Sequence, residues 1–297
     1  MEEAIRKAAV LIEAMPYIQR FAGKAVVIKF GGNAMESEKV LDDVLEDVAF
    51  LAAVGIRPVV GPGGGPQISQ AMAQAGLEPR FVGGHRVTDA QTLKVAVRVL
   101  SEEINAAICR RIEKFGGRAH PTYREGHTPL RARKKLMPVR GADGKEQTVD
   151  VGFVGDVVGV EAERMLSIAA EGAVLVVPPI GEGEAGQLYN VNADTAAAAV
   201  AAGLRAEKIV FLSNVHGIMA DPADPQSLLS SVAESDVGRM IAQGVITGGM
   251  LPKVAACVRA LDAGVRKAHI IDGRLPHSLL LEIFTDKGIG TQIIKDV

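Results

Sequence analysis

Lys29 closes the apolar run Ala25-Val26-Val27-Ile28 and opens onto Phe30-Gly31-Gly32-Asn33. Lys253 follows Thr247-Gly248-Gly249-Met250-Leu251-Pro252, at the start of a helical pattern. Between them Gly61-Pro62-Gly63-Gly64-Gly65-Pro66 comes straight after the β-branched pair Val59-Val60. A strand that ends in glycines and hands over to a helix turns backbone N–H groups towards an anion. Two ammonium groups converging on that anion would suit phosphoryl transfer, where catalysis is mostly charge stabilisation and positioning. The loop is not a Walker motif, because no Gly-Lys-Ser/Thr closes it, and Pro66 spoils a GxGxxG reading. Three consecutive glycines still let amides approach a ligand closely. Beside Gly31 and Gly32 nothing shields Lys29, which favours a ligand-facing role over that of an exposed strand-end lysine.

Three more segments carry polar chemistry. In Gly84-His85-Arg86-Val87-Thr88-Asp89, Thr88 or Asp89 is a natural N-cap for the helix that follows. Arg86 there is either a bidentate fork for a carboxylate or a surface arginine, and His85 has no partner pattern. Tyr189-Asn190-Val191-Asn192-Ala193-Asp194-Thr195 opens another helix, and capping explains one of the two asparagines. Asp194 in its first turn either complements the helix dipole, worth roughly 0.3–1 kcal/mol, or orients the two lysines. Ser213-Asn214-Val215-His216-Gly217 lies beyond a strand's carboxyl end, where nucleotides sit in doubly wound sheets. Gly248-Gly249 supplies a second glycine turn.

The elements that must hold these residues alternate. Strand, helix, strand, helix from Ala25 onward argues for an open, mostly parallel sheet, with the loops after the strands gathered along one edge. Residues 118–160 break that rhythm: extended stretches around Gly141-Ala142-Asp143-Gly144 read as antiparallel hairpins. Alternation returns after residue 161, so two lobes are expected, meeting near residues 178–190. Ala90–Lys114 reads as one long helix ended by Gly116-Gly117. Residues 2–20 read as an amphipathic helix with a kink or break at Pro16, packed on its own core or swapped with a neighbouring subunit.

Composition excludes several classes. Lys plus Arg number 33 against 35 Asp plus Glu, which leaves no nucleic-acid footprint. The basic run Arg131–Lys135 reads as a solvated hairpin edge. Tryptophan is absent and aromatics are 4%, so the core rests on aliphatic residues, as in a parallel sheet. Cys109 and Cys257 lack CxxC or histidine company and read as buried thiols, not as a metal site. No run approaches 18 apolar residues, and Glu2 and Glu3 stand where a secretory leader would be basic. A cytoplasmic protein without membrane contact is expected.

KFGGNAM, GPGGGPQI, GGHRVTD, NVNAD and TGGMLPKV together resemble the amino acid kinase family, and within it the kinases of N-acetyl-L-glutamate. The resemblance implies a three-layer α-β-α sheet in two lobes. Residues 1–22 would be an oligomerisation helix, 23–180 the amino-acid lobe and dimer contact, and 181–297 the nucleotide lobe. It implies transfer of the γ-phosphate of ATP, with Mg2+, to the side-chain carboxylate of N-acetyl-L-glutamate in arginine biosynthesis. Lys29 and Lys253 would neutralise charge on the phosphoryl group, and Asp194 would orient them. Amides of Gly31, Gly32, Gly63, Gly64 and Gly65 would hold phosphate and substrate, and Arg86 and Asn190 would grip the substrate. Ser213, Asn214, Gly248 and Gly249 would face the nucleotide. At Asn214 the family frequently has aspartate; asparagine keeps the hydrogen-bonding shape and drops the charge. The tail and the extra first helix resemble those of the arginine-inhibited members, which implies an L-arginine site at His277, Ser278, Glu282 and Gly290. It also implies a homo-oligomer, a hexamer built as a trimer of dimers, with a PII-type signalling protein as a candidate partner. The alternatives are a kinase of a related carboxylate such as glutamate, and a non-catalytic arginine-sensing protein of the same fold.

Overall fold

The structure is a computed structural model and describes residues 1–31, 37–140, 146–221, 224–285 and 288–296. Gly32 and the turn Gly141–Gly144 lie outside the described residues. The elements run α1 (Glu2–Phe21), β1 (Ala25–Phe30), α2 (Glu38–Ala53), β2 (Arg57–Pro62), α3 (Gly65–Gln74), β3 (Phe81–Val82), β4 (His85–Arg86) and α4 (Ala90–Val97). Next come α5 (Asn105–Lys114), β5 (Arg118–Pro121), β6 (Leu130–Arg140), β7 (Glu146–Val160), α6 (Ala162–Ala170), β8 (Ala173–Val176), β9 (Ile180–Glu182) and β10 (Leu188–Val191). The chain ends with α7 (Ala193–Gly203), β11 (Lys208–Ser213), β12 (Ser231–Ala233), α8 (Glu234–Ala242), α9 (Met250–Asp262), β13 (Lys267–Asp272), α10 (Ser278–Ile283) and β14 (Thr291–Ile294).

One sheet of eight strands, in the order β12-β14-β13-β11-β1-β2-β8-β5, runs through both halves of the chain. It is parallel from β13 to β5, and β14 is antiparallel to β13. Strand side chains alternate between faces. Val27, Val59, Leu175, Ile209 and Phe211 meet α6, α7, α8 and α9 on one side. Val26, Ile28, Phe30, Val60 and Val210 meet α2, α3, the α4–α5 helix and α10 on the other. Both faces of β1 are therefore buried, which is why Ala25–Phe30 is continuously apolar apart from Lys29. The alanine-dense α7 has little side-chain bulk, so it packs close to the strands: a Cβ at Gly61 would sit 3.5 Å from that of Ala197.

The antiparallel pair β6–β7 closes with β9 and β10 into a small four-stranded barrel. The basic run lies on β6, where Lys134 pairs with Asp150 and Lys135 with Asp156, each at 2.6 Å. Two local expectations are refined. The helix over residues 90–114 is continuous but carries a π-helical segment, Arg98–Ile104. And α1 runs unbroken through Pro16; the carbonyl that loses its hydrogen bond belongs to Ile12, which is exposed and can bond water instead.

Candidate active site

The carboxyl ends of β1, β2, β11 and β13 open on a cleft of about 750 Å³ walled on one side by the barrel residues Val154, Asn190 and Val191. Its base is a three-residue charge cluster. Lys29 Nζ lies 2.6 Å from Asp194 Oδ1, and Lys253 Nζ donates to Asp194 Oδ2 at 3.4 Å. Lys29 comes from the penultimate position of β1, Asp194 from the first turn of α7 and Lys253 from the first turn of α9. Burial would raise Asp194, but the two lysines outweigh it and hold its carboxyl below the usual range. Burial lowers Lys29, with Asp194 opposing and Lys253 reinforcing the shift. Two ammonium groups on one carboxylate leave an excess of positive charge facing the cleft, a place for an anion.

The glycine loop forms the next wall. Gly64 precedes α3 as its N-cap, and Pro66 sits in the first turn, where its missing N–H costs nothing. A Cβ at Gly64 would meet Leu100 Cδ2 at 2.5 Å and Ile104 Cδ1 at 2.9 Å. The π-helical segment thus presses on the back of the loop, and only glycine leaves it room. Gly63, Gly64 and Gly65 all line the cleft, as do Gly31, Lys29 and Lys253.

Arg86 is buried, not a surface arginine. Its Nη2 donates to Gly65 O at 2.9 Å and to Ser69 Oγ at 2.8 Å, its Nη1 faces Met72 Sδ, and its guanidinium stacks 4.8 Å over Phe81. Thr88 anchors the segment to the barrel: its N–H donates to Val151 O, and its carbonyl accepts from Phe153 N. Gly152 makes that approach possible, since at φ +82° a Cβ would come within 2.1 Å of Thr88 O. The open alternatives at the caps resolve by geometry. Asp89 caps α4 through Thr92 N–H, and Asn192 caps α7 through Thr195 N–H at 3.0 Å. Asn190 is left to donate to Thr88 Oγ1 at 3.3 Å and to line the cleft beside Arg86.

Ser213 and Asn214 also line the cleft, at the end of β11. Gly248 and Gly249 do not: they form the turn before α9 and act through the start of the helix that carries Lys253. His85, which has no partner pattern in the sequence, lines the cleft, with burial lowering its imidazole. Ser37, Val40 and Arg274 line it too, and only Arg274 carried a legible signal, an apolar strand followed by Asp272-Gly273.

The tail residues split. Glu282 and Gly290 line a second, smaller pocket with Tyr17, Lys208, Lys267 and His269. His277 and Ser278 lie outside that lining. His277 instead meets Asp47 of α2 at 2.7 Å, and Ser278 is buried. His277 takes a left-handed φ of 54° at the turn into α10, and its ring is held by Asp47 of α2.

The profile of the amino acid kinase family matches residues 24–272. Acetylglutamate kinase of Heliobacterium modesticaldum is 48% identical over 99% of this chain and 100% of its own. Among solved structures, N-acetylglutamate synthase from Neisseria gonorrhoeae, complexed with coenzyme A and N-acetyl-glutamate, superposes with a TM-score of 0.77 at 28% identity over 98% of this chain. The same synthase with coenzyme A and L-arginine gives a TM-score of 0.75 at 27% identity, again over 98% of this chain. The chain spans only 64% and 66% of those two synthase chains. With the lysine–aspartate–lysine cluster, the glycine loop and the buried arginine in one cleft, the chain belongs to the amino acid kinase family and, within it, to the acetylglutamate kinases.

Proposed function

We propose that the chain transfers the γ-phosphoryl group of ATP to the side-chain carboxylate of N-acetyl-L-glutamate, as a step of arginine biosynthesis. The convergence of Lys29 and Lys253 on Asp194 at the base of the cleft carries this reading. A carboxylate oxygen attacks the γ-phosphorus, the bond to the β–γ bridging oxygen breaks, and an acyl phosphate and ADP leave; no proton has to move. The difficulty is electrostatic, since two anions must approach. Lys29 and Lys253 offset that charge, with amides of Gly63, Gly64 and Gly65 as donors to the phosphoryl oxygens. Arg86 and Asn190 orient the amino acid. Magnesium would enter with the nucleotide as part of the substrate, where it would offset phosphate charge. Among the described residues no group of three or more His, Cys, Asp or Glu could cage it, which suits an ion of that kind. Hydroxylamine trapping tests the reaction: hydroxamate should form with ATP and N-acetyl-L-glutamate and much less with free glutamate. Equal yields would favour the related-carboxylate kinase, and no yield with either would favour a non-catalytic sensor.

The second pocket supports feedback by arginine. Glu282 is its buried carboxylate, ringed by His269 at 2.6 Å and Lys208 at 3.5 Å, with Lys267 also in the lining. One acid among several bases suits a ligand with a guanidinium at one end and a carboxylate at the other. The first helix supports a ring-shaped homo-oligomer: Ile5, Leu11, Ile12 and Met15 form an apolar stripe that is exposed in the single chain. Removing residues 1–20 should reduce the mass seen by light scattering to that of a dimer, and an unchanged mass would refute the helix's role. No helix among the described residues is long and apolar enough to cross a membrane, which is compatible with a cytoplasmic site of action.

A further inference from the structure

The cleft holds one more cation than the lysine pair and the substrate fork explain. β13 ends at Asp272, directly beside Ser213 at the end of β11, and the backbone turns through Gly273, whose N–H donates to Ser213 O at 2.9 Å. Arg274 follows and lines the cleft with Ser213, Asn214 and Lys253. Its guanidinium is not free to wander. Asp272 Oδ1 accepts from the Arg274 backbone N–H and from Nε, both at 2.9 Å, and Oδ2 accepts from Nη2 at 2.7 Å. His216 Nδ1 lies 3.1 Å from the same Oδ2.

The two partners are buried to very different degrees. The Asp272 side chain is 2% exposed and that of Arg274 57% exposed. An ion pair half open to water adds little stability, so stability alone does not account for a buried carboxylate there. What the pair does achieve is orientation. Nε and Nη2 are committed to Asp272, and Nη1 with its two N–H groups remains for an acceptor in the cleft. Much of the side-chain entropy lost on binding a ligand is therefore already lost in the free protein. The position also fits the reaction. β13 is two strands from β1, so its end is about 10 Å from that of Lys29, comparable to the reach of a nucleotide's phosphate chain.

We propose that Arg274 is a nucleotide-phosphate-binding residue, donating from Nη1 to a non-transferred phosphate of ATP or ADP, and that Asp272 is its positioning residue. This rests on the phosphoryl-transfer reading, but it assigns a contact that the lysine pair does not supply. Asp272 cancels much of the guanidinium's charge, so Arg274 acts as an aimed donor more than as a source of field. Its loss should therefore weaken binding without abolishing turnover.

The test is calorimetric binding of ADP, together with KM for ATP and for N-acetyl-L-glutamate, in R274Q, R274K and D272N. R274Q should weaken ADP binding and raise KM for ATP about tenfold, as expected for one lost hydrogen bond to a charged group. KM for N-acetyl-L-glutamate and the binding of adenosine should stay as in the wild type. D272N should weaken ADP binding by a smaller factor, because the donor remains but is no longer aimed. R274K, which keeps the charge and fits the site with less disturbance, should recover only part of the affinity. Unchanged ADP binding in a folded R274Q or R274K, or a change confined to N-acetyl-L-glutamate, would overturn the proposal. ADP binding needs no turnover, so it can fail or succeed independently of the hydroxamate assay.

Discussion

β11 and β13 carry charged clusters at both ends, and the two ends are built differently. At the carboxyl ends, loops leave the sheet and helices begin, so Lys29, Lys253 and Arg274 face a cleft of about 750 Å³. At the amino ends Lys208, Lys267, His269 and Glu282 face a pocket of about 100 Å³, closed by α10 and by Tyr17 and Arg20 of α1. Each cluster sets a buried carboxylate among bases. In the cleft, Asp194 serves two lysines and leaves positive charge over for an anion. In the pocket, Glu282 accepts from His269 and from the Ile289 N–H and pairs with Lys208. Burial would raise Glu282, but these partners hold it below the usual range, while burial lowers His269. One end is open and unbalanced, as chemistry on phosphate requires. The other is small, and its acid is already hydrogen-bonded within the fold while Lys267 and Arg20 stand beside it.

The largest effects should come from the open end. Lys29→Ala or Lys253→Ala should each lower kcat by roughly 10²–10³, the usual cost of removing one donor to a transition-state oxyanion. Near-normal turnover in either would break the contrast between the two ends. Arg86→Ala should act mainly on binding, raising KM for N-acetyl-L-glutamate at least tenfold with a smaller change in kcat; initial-rate kinetics would decide, and an unchanged KM would remove Arg86 from the substrate site. A pH profile sharpens the same point. Because burial lowers Lys29, it loses its proton below the 10.5 of a free lysine, and activity should fall with rising pH through that range. A profile flat to pH 10.5 would contradict either the lowering of Lys29 by burial or the need for its proton at the reacting phosphate. The mildest expected effect on turnover is at the closed end. Glu282→Gln should leave kcat within about twofold while raising the arginine concentration needed for inhibition tenfold or more. A large loss of basal kcat would show that the two ends are not separate in function.

Legibility in the sequence followed the range of the interactions. The glycine turn at Gly61–Gly65 is settled within a few residues, and local pattern narrows each helix cap to two candidates, of which the structure selects Asp89 and Asn192. The strands β1, β2, β8, β11 and β13 were readable as apolar runs because both their faces are buried. β12, β14 and α8 were not read, since short, partly exposed elements at a sheet edge leave a weak periodicity. The meeting of Lys29 with Lys253 depends on the packing of α7 and α9 against the sheet, and no local signal contains it; the family resemblance supplied it. His277 shows the converse: the family resemblance groups it with Glu282 and Gly290, but its ring meets Asp47 of α2 and lies outside the pocket those two residues line. The signal at Arg274, a strand, an acid and a glycine, has meaning only with β13 beside β11, a pairing that local sequence does not contain.

Lys29 and Lys253, joined by Asp194, should work as one unit on a single phosphoryl group. A double-mutant cycle on single-turnover phosphoryl transfer, with Lys29→Ala, Lys253→Ala and the double variant, tests it most directly. The double variant should be little slower than the slower single variant. Losses that simply multiply would mean that the two lysines act independently, and would contradict it.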